Sequence, residues 1–310
     1  MQKYKHIVID GNNLFWRAYS TSKGDLVTSR REKFYKTGLK KAIKMTLRLE
    51  KLYGRKDCKV YVLFDNPVSA INLRKLISGG EYKHARKKVP KRFYQILTLY
   101  KEILKSIGDN YYIAFADQHE ADDLTLPVFN HIKPSYENEM LLVSTDMDWA
   151  RLINDYTHWL KKDDLIDKEG FIQRFGFSPD GHSIKMWKAI KGDKSDNIPN
   201  TIPYMPDQIL IDIVTRYDDI GELMKGLWYD DKIPEQWKKK IHEKAPELHS
   251  SYQLVDFMPF NGNLQDIIYK CSLHVNDLRV FYGLLDMEYE SFMVEEDSVD
   301  FFKESQDSLI

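Results

Sequence analysis

Apolar residues follow two rhythms along this chain. Up to about residue 160, short runs of consecutive apolar positions alternate with longer stretches where apolar residues return every third or fourth place. The runs at 6–9, 60–64, 111–115 and 140–143 have the length and the polar borders of buried strands. Leu39, Ala42, Ile43, Thr46, Leu49 and Tyr53 keep a helical period, as do Phe93, Ile96, Leu97, Tyr100, Ile103, Leu104 and Ile107. This alternation predicts an α/β fold with a central, mostly parallel sheet flanked by helices. After about residue 185 the texture changes to helices and turns, punctuated by Pro199, Pro203, Pro206 and Pro234. The expected organisation is a first domain over 1–184, a smaller helical domain over 185–290, and an aperiodic acidic tail over 291–310.

Composition narrows the class only a little. A chain of 310 residues with 43% hydrophobic and 30% charged residues can bury a substantial core. It shows no apolar stretch of membrane-spanning length, and its start, Lys5-His6-Ile7-Val8-Ile9, has no signal-peptide layout. Cys58 and Cys271 stand far apart and outside any CxxC spacing, which argues against a disulfide framework or a zinc site and suits a reducing cytoplasm.

The net charge of −1 does not point to nucleic acid, but its distribution does. Arg74, Lys75, Lys83, Arg86, Lys87, Lys88, Lys91 and Arg92 face a single acid, Glu81, within one stretch. The end of the chain is the reverse, with Glu295, Glu296, Asp297, Asp300, Glu304 and Asp307 against Lys303.

The candidate chemistry lies in acids that follow the strand-like runs. Ile7-Val8-Ile9 runs into Asp10, Tyr61-Val62-Leu63-Phe64 into Asp65, and Leu141-Leu142-Val143-Ser144-Thr145 into Asp146 and Asp148. The run near 111–115 leads to Glu120, Asp122 and Asp123, and a further pair, Asp193 and Asp196, lies in Gly192-Asp193-Lys194-Ser195-Asp196-Asn197-Ile198-Pro199. In an open parallel sheet the strand ends share one edge, where ligands gather. Any single Asp after a strand reads as readily as a turn or capping residue. The recurrence at successive strands is what turns capping into the weaker reading. Two carboxylates about 5 Å apart repel by roughly 3 kcal/mol at an effective dielectric near 20. Several together need a cation or must take up protons. Oxygen ligands without a His or Cys pattern favour Mg²⁺, with Mn²⁺ as a substitute, and suit two-metal phosphodiester hydrolysis.

In their order, Ile9-Asp10-Gly11-Asn12-Asn13-Leu14, Phe64-Asp65, Glu120-Ala121-Asp122-Asp123, Ser144-Thr145-Asp146-Met147-Asp148 and Gly192 to Pro199 resemble the motifs of flap endonucleases and 5′→3′ exonucleases. The motifs run over residues 9–199. Among them, the stand-alone phage enzymes of the T-even ribonuclease H group look most similar, through chain size, Lys191-Gly192-Asp193-Lys194 and the later Tyr252-Gln253-Leu254-Val255-Asp256-Phe257. The resemblance implies a PIN-like α/β domain with a helical arch, here over about 69–107, and a helix–three-turn–helix element in the C-terminal helical domain. It also implies a first metal among Asp10, Asp65, Glu120, Asp122 and Asp123. The second would lie among Asp146, Asp148, Asp193 and Asp196, helped by the Asp122/Asp123 pair.

Tyr82-Lys83-His84-Ala85-Arg86 resembles the Tyr-Lys-x-x-Arg of the family's arch, where Lys83 and Arg86 would neutralise the scissile phosphate. Were this stretch helical, their spacing would set both on one face. Arg17 matches a family phosphate-binding position, and Tyr82, Phe93 and Tyr94 would offer stacking surfaces to unpaired bases. Lys87 and Lys88 read either as strand contacts or as a solvated helix face. After Pro199 the family's glycine-rich, duplex-binding and K⁺-binding turn is replaced by Asn200-Thr201-Ile202-Pro203-Tyr204-Met205-Pro206, which leaves the K⁺ site open. Lys185, Lys188, Lys191 and Lys194 either compensate for it or are ordinary exposed lysines.

The function expected from this resemblance is a structure-specific 5′ nuclease acting on DNA flaps and RNA primers in replication or repair. Its substrates would be branched DNA and RNA–DNA junctions, and it would work as a monomer in a bacterial or phage-infected cell. The C-terminal region is the expected contact for replication proteins, either through Phe301-Phe302 or not at all if the tail only solubilises. The rival readings are a PIN-type endoribonuclease and a non-catalytic branched-DNA binding module.

Overall fold

The computed structural model describes residues 3–21, 31–66, 68–84, 89 and 91–284. Its centre is β1 (Tyr4–Asp10), buried without a break from His6 to Asp10. Such a run, apolar on both faces, is what a central parallel strand needs. The sheet has seven strands in the order β6-β5-β4-β1-β2-β3-β7. Its members are β2 (Gly54–Leu63), β3 (Tyr111–Ala114), β4 (Met140–Val143), β5 (Thr157–Lys161), β6 (Asp164–Ile166) and β7 (Ile268–Lys270). The strands from β5 to β3 are parallel, and β6 and β7 close the two edges antiparallel. The register pairs Asp10 with Leu63 and Ile9 with Val143, so the carboxyl ends of β1, β2 and β4 come level.

Successive side chains leave opposite faces of the sheet, and a separate apolar layer covers each. On one side Ile7, Ile9, Val60, Val62, Ile113 and Leu141 pack against α1 (Gly11–Thr21), α2 (Arg31–Tyr53) and α4 (Lys91–Lys105). On the other, Val8, Tyr61, Leu63, Met140 and Leu142 meet α5 (Ala121–Ile132) and the 3₁₀ helix Met147–Leu152. That second layer continues without interruption into α7 (Gly181–Lys191), α8 (Asp207–Arg216), α9 (Ile220–Gly226), α10 (Glu235–Glu243) and α11 (Ala245–Leu254). The short α6 (Lys168–Phe175) follows β6, and α12 (Val275–Leu284) follows β7.

The α/β sheet expected from the sequence is present, with three additions. Strands β5, β6 and β7 had no signal among the apolar runs, being short or mixed in polarity. β7 also corrects the organisation, since residues 268–270 fall within the stretch read as helical yet pair with β3. The segment over the expected arch holds α3 (Val68–Ile77), a turn through Lys83 and His84, and then α4. None of the described helices is long and apolar enough to cross a membrane. The stretch 291–310 lies outside the described residues.

Candidate active site

Two helix starts and two strand ends bring five carboxylates together at the carboxyl edge of the sheet. Asp10 ends β1, and its oxygens accept hydrogen bonds from the Asn13 backbone N–H at 2.9 Å and the Ser144 hydroxyl at 2.8 Å. Asp65, just past β2, accepts from the Asn12 amide at 2.6 Å and from the Ala121 backbone N–H at 2.8 Å. The backbone of Asp10 continues directly into α1 because residue 11 is glycine. A Cβ there would stand 2.5 Å from a carbon of the Phe64 ring. Asp122, in the first turn of α5, accepts from the Trp149 indole at 2.5 Å. Asp146 caps the 3₁₀ helix by accepting the Asp148 N–H at 3.0 Å, which turns Asp148 inward. One oxygen each of Asp122, Asp146 and Asp148 lies within 4.8 Å of the other two.

Asp10 and Asp148 are buried, while Asp65, Asp122 and Asp146 keep partial exposure. Burial, then the charge of Asp65, pushes the Asp10 carboxyl up to about 7. Asp122 is driven well above the usual range by burial and by Asp146, Asp10, Asp148 and Asp65. Asp148 rises to about 6, burial outweighing the attraction of Lys188. Its Oδ1 is buried with no hydrogen-bond partner. An orphaned carboxylate oxygen beside two others is the donor set of a hard cation.

Lys188, which the sequence allowed to be an ordinary exposed lysine, is instead buried at 5% exposure. From α7 its ammonium lies 2.6 Å from Asp148 Oδ2, 2.8 Å from Asp193 Oδ2 and 3.6 Å from Asp146 Oδ1. The helix period explains this, because Lys188 lies one turn beyond buried Ile184 and shares its inward face. Asp193 also accepts from the Ser195 N–H and hydroxyl. Burial acts against the charged form of Asp193, but Lys188 prevails and its carboxyl falls to about 2.

A second ionic knot gathers the acids that sequence grouped with the first metal. Glu120 caps α5, and Asp123 in its first turn accepts the Glu120 N–H at 2.9 Å. Both turn towards Arg74 of α3, whose guanidinium lies 2.5 Å from Glu120 and 2.6 Å from Asp123. Lys83 pairs with Glu120 and stands 3.8 Å from Asp196. Glu120 is thereby lowered from the usual range, Lys83 and Arg74 overcoming its burial. Glu120, Asp123 and Asp196 thus gather around Arg74 and Lys83, while Asp122, Asp146 and Asp148 converge on one another.

Three expectations about the basic stretch need correction. Lys83 is not on a helix face with Arg86, for it sits in a turn at φ 55, its N–H bonded to the Asp196 carbonyl at 2.9 Å. Tyr82 is no stacking surface. It is 2% exposed, its hydroxyl donates to Glu120 and Asp196 at 3.1 Å each, and Arg74 and Lys83 lie over its ring. Phe93 is likewise in the core, against Phe15 and Tyr19, because α4 turns it towards α1. Tyr94 does remain outside, at 55% exposure. Arg86, Lys87 and Lys88 lie outside the described residues.

Arg17 is half-buried on α1, and the charges of Asp163 and Asp10 act on it. Lys191 is exposed, pairs with Asp207 at 2.6 Å and lies over the Trp187 ring, while Lys194 is exposed. The connection from α7 to α8 opens on Gly192 at φ 80, where a Cβ would meet Pro199 and Asn200 backbone atoms at 2.6 Å. In place of a second glycine, Tyr204 takes the left-handed conformation at φ 65 with its ring 92% exposed. Sequence reasoning missed Lys188 and Arg74 as partners of the acids, along with Ser144 and Trp149, because these contacts join distant elements.

Residues 5–176 match the family model for the 5′-3′ exonuclease, N-terminal resolvase-like domain. A 5′-3′ exonuclease of Mycoplasmopsis pulmonis is 32% identical over 166 residues, 53% of this chain and 54% of that protein. DNA polymerase I of Bacillus subtilis is 24% identical over 266 residues, 83% of this chain but 28% of the polymerase. The chain thus spans about half the length of the first relative (54%) and a smaller part of the second (28%). The fold is shared with the T5 D15 protein, crystallised with metal ions, at a TM-score of 0.60 and 19% identity over 81% of this chain and 89% of that one.

Proposed function

The chain belongs to the 5′-3′ exonuclease family, and from that premise we propose that it is a structure-specific 5′ nuclease. It hydrolyses phosphodiesters of DNA flaps and RNA primers, with two divalent cations, Mg²⁺ by preference and Mn²⁺ as a substitute. The observation that carries this reading is the convergence of Asp122, Asp146 and Asp148 with a buried, partnerless Asp148 oxygen among them. Asp10 and Asp65 border the same space, oriented by Ser144, Asn12 and Asn13, and would hold the first ion with Asp122 and Asp146. Asp148, with Asp193 and Asp196, would hold the second. The chemistry that divalent cations supply in such a site is acidification of the attacking water and neutralisation of charge at the leaving oxygen.

The chain's own residues do the positioning. Lys83 and Arg74 keep Glu120 ionised, and Arg74 fixes Asp123 beside it. Lys83, on the turn beside Asp196, would meet the scissile phosphate. Arg17 and the exposed Lys191 and Lys194 supply further phosphate contacts, and Tyr94 a stacking face for an unpaired base.

A 5′-labelled flap duplex incubated with protein and Mg²⁺ tests the proposal. Short 5′-phosphorylated products are expected, lost on adding EDTA and reduced at least a hundredfold in Asp122→Ala. Cleavage that survives both treatments overturns the metal assignment. Preference for single-stranded RNA of equal length would favour an endoribonuclease, and metal-independent binding without cleavage a binding module.

A further inference from the structure

The strap that leaves α11, Val255 to Met258, touches α3, α5, the 3₁₀ helix Met147–Leu152 and α7, the elements that surround the carboxylates. Met258 donates its backbone N–H to Asp123 Oδ1 at 2.8 Å, and the Asp256 carbonyl accepts from Arg74 at 3.1 Å. The Val255 carbonyl accepts from Arg151 at 3.2 Å. Asp256 itself divides its carboxylate. Oδ1 takes Arg151 at 3.1 Å, and Oδ2 pairs with Lys185. Arg151 belongs to the 3₁₀ helix of Asp148 and also lies 4.0 Å over the Phe257 ring. Lys185 is one turn before Lys188 on α7 and lies 3.8 Å over Tyr252 of α11.

One carboxylate therefore ties the helix bearing Asp148 to the helix bearing Lys188, the two sides of the Asp148–Lys188 ion pair. Its backbone holds the guanidinium that fixes Glu120 and Asp123. Rings on both sides, Phe257 and Tyr252, keep the two cations from swinging away from Asp256.

We propose that Asp256 is a positioning residue for the carboxylate site. By holding Arg151 and Lys185 at one point it sets the spacing between Asp146 and Asp148 on the 3₁₀ helix and Asp193 beyond α7. Cation affinity at those acids then depends on a residue that touches neither cation nor substrate. The inference rests on the metal reading proposed above, and its test separates the two.

Mn²⁺ binding to the full chain is measured by calorimetry and by the loss of free-ion EPR signal, for wild type, Asp256→Asn, Lys185→Gln and, as a control, Glu247→Gln. Glu247 lies on α11 in an exposed pair with Lys244, far from these contacts. Asp256→Asn should weaken Mn²⁺ binding about tenfold, a scale set by charge-assisted hydrogen bonds that are partly open to solvent. It should lower kcat by a similar factor while KM for the flap stays within about twofold. Lys185→Gln should move both in the same direction, and Glu247→Gln neither.

Wild type that takes up no Mn²⁺ overturns the metal reading. Wild type that binds, with Asp256→Asn binding equally well but melting at a lower temperature, overturns this inference alone and leaves Asp256 a purely structural residue. Should Asp256→Asn fail to fold, Lys185→Gln decides by the same criterion, since it opens the same ion pair from the other side.

Discussion

Replacing Lys188 by methionine keeps most of the side chain's volume and removes only the ammonium. In the metal-free protein that ammonium stands 2.6, 2.8 and 3.6 Å from Asp148, Asp193 and Asp146, with Lys188 itself 5% exposed. Taking away one partner of a buried ion pair leaves charge with neither water nor counter-ion, a loss of roughly 3–5 kcal/mol. At 2–4 °C per kcal/mol the melting temperature of the metal-free variant should fall by about 6–20 °C. Divalent cation should restore much of it, because three carboxylates without their lysine are a better cation site than three with it. The assay is thermal unfolding in EDTA and in 10 mM-range Mg²⁺, for wild type and Lys188→Met side by side. The Mg²⁺-induced rise should be several degrees larger in the variant. Equal rises in both proteins, or a variant as stable as wild type in EDTA, would falsify the account of Lys188 as the resident counter-ion of these acids.

Other consequences follow from burial. Asp10 and Asp148 have folded-state values of about 7 and 6, above the 3.8 of an unperturbed carboxyl. Their contribution is therefore fully present below the unfolded value and lost as pH rises through the folded ones, so metal-free protein should lose stability from about pH 4 to about pH 7 and Mg²⁺ should cancel the loss. His6 acts in the opposite sense. Burial lowers it to about 4, its Nδ1 is unpartnered, and stability should fall by about 2 kcal/mol between pH 7 and 5 as the unfolded chain takes up the proton. Subtracting the melting curves of His6→Phe isolates that component, and an unchanged pH profile in the variant would refute it. Gly192→Ala should destabilise by more than about 2 kcal/mol in denaturant unfolding, because the new Cβ meets backbone at 2.6 Å at φ +80. Gly11→Ala should also destabilise, since the Phe64 ring its Cβ would meet is fully buried. Tyr82→Phe should lower stability by about 1–2 kcal/mol without weakening single-strand binding, whereas Tyr94→Ala should weaken binding without changing stability. Fluorescence anisotropy and melting on the same samples separate the two.

The sequence by itself determined the sheet and the gathering of acids at its edge. Unbroken apolar runs demanded parallel strands buried on both faces, and parallel strands must end at one edge. Asp10, Asp65 and Asp146 were therefore bound to meet wherever the flanking helices went. Local spacing set Asp146 and Asp148 two residues apart, but the 3₁₀ turn capped by Asp146 that brings Asp148 inward was not legible in it.

Only the tertiary structure decided which acid has which partner. Arg74 reaches Glu120 and Asp123 across 46 and 49 residues, and Lys188 reaches Asp148 across 40. Hydrophobic period fixes which face of a helix is buried, but not the depth or rotation at which two helices meet. A half-ångström of either decides whether an ammonium lands on a carboxylate. The same limit turned Tyr82 and Phe93 inward against expectation and hid β7, three residues whose strand character exists only because β3 offers an edge. Chemistry that follows from strand direction was legible along the chain. Chemistry that follows from side chains meeting across crossovers had to wait for the fold.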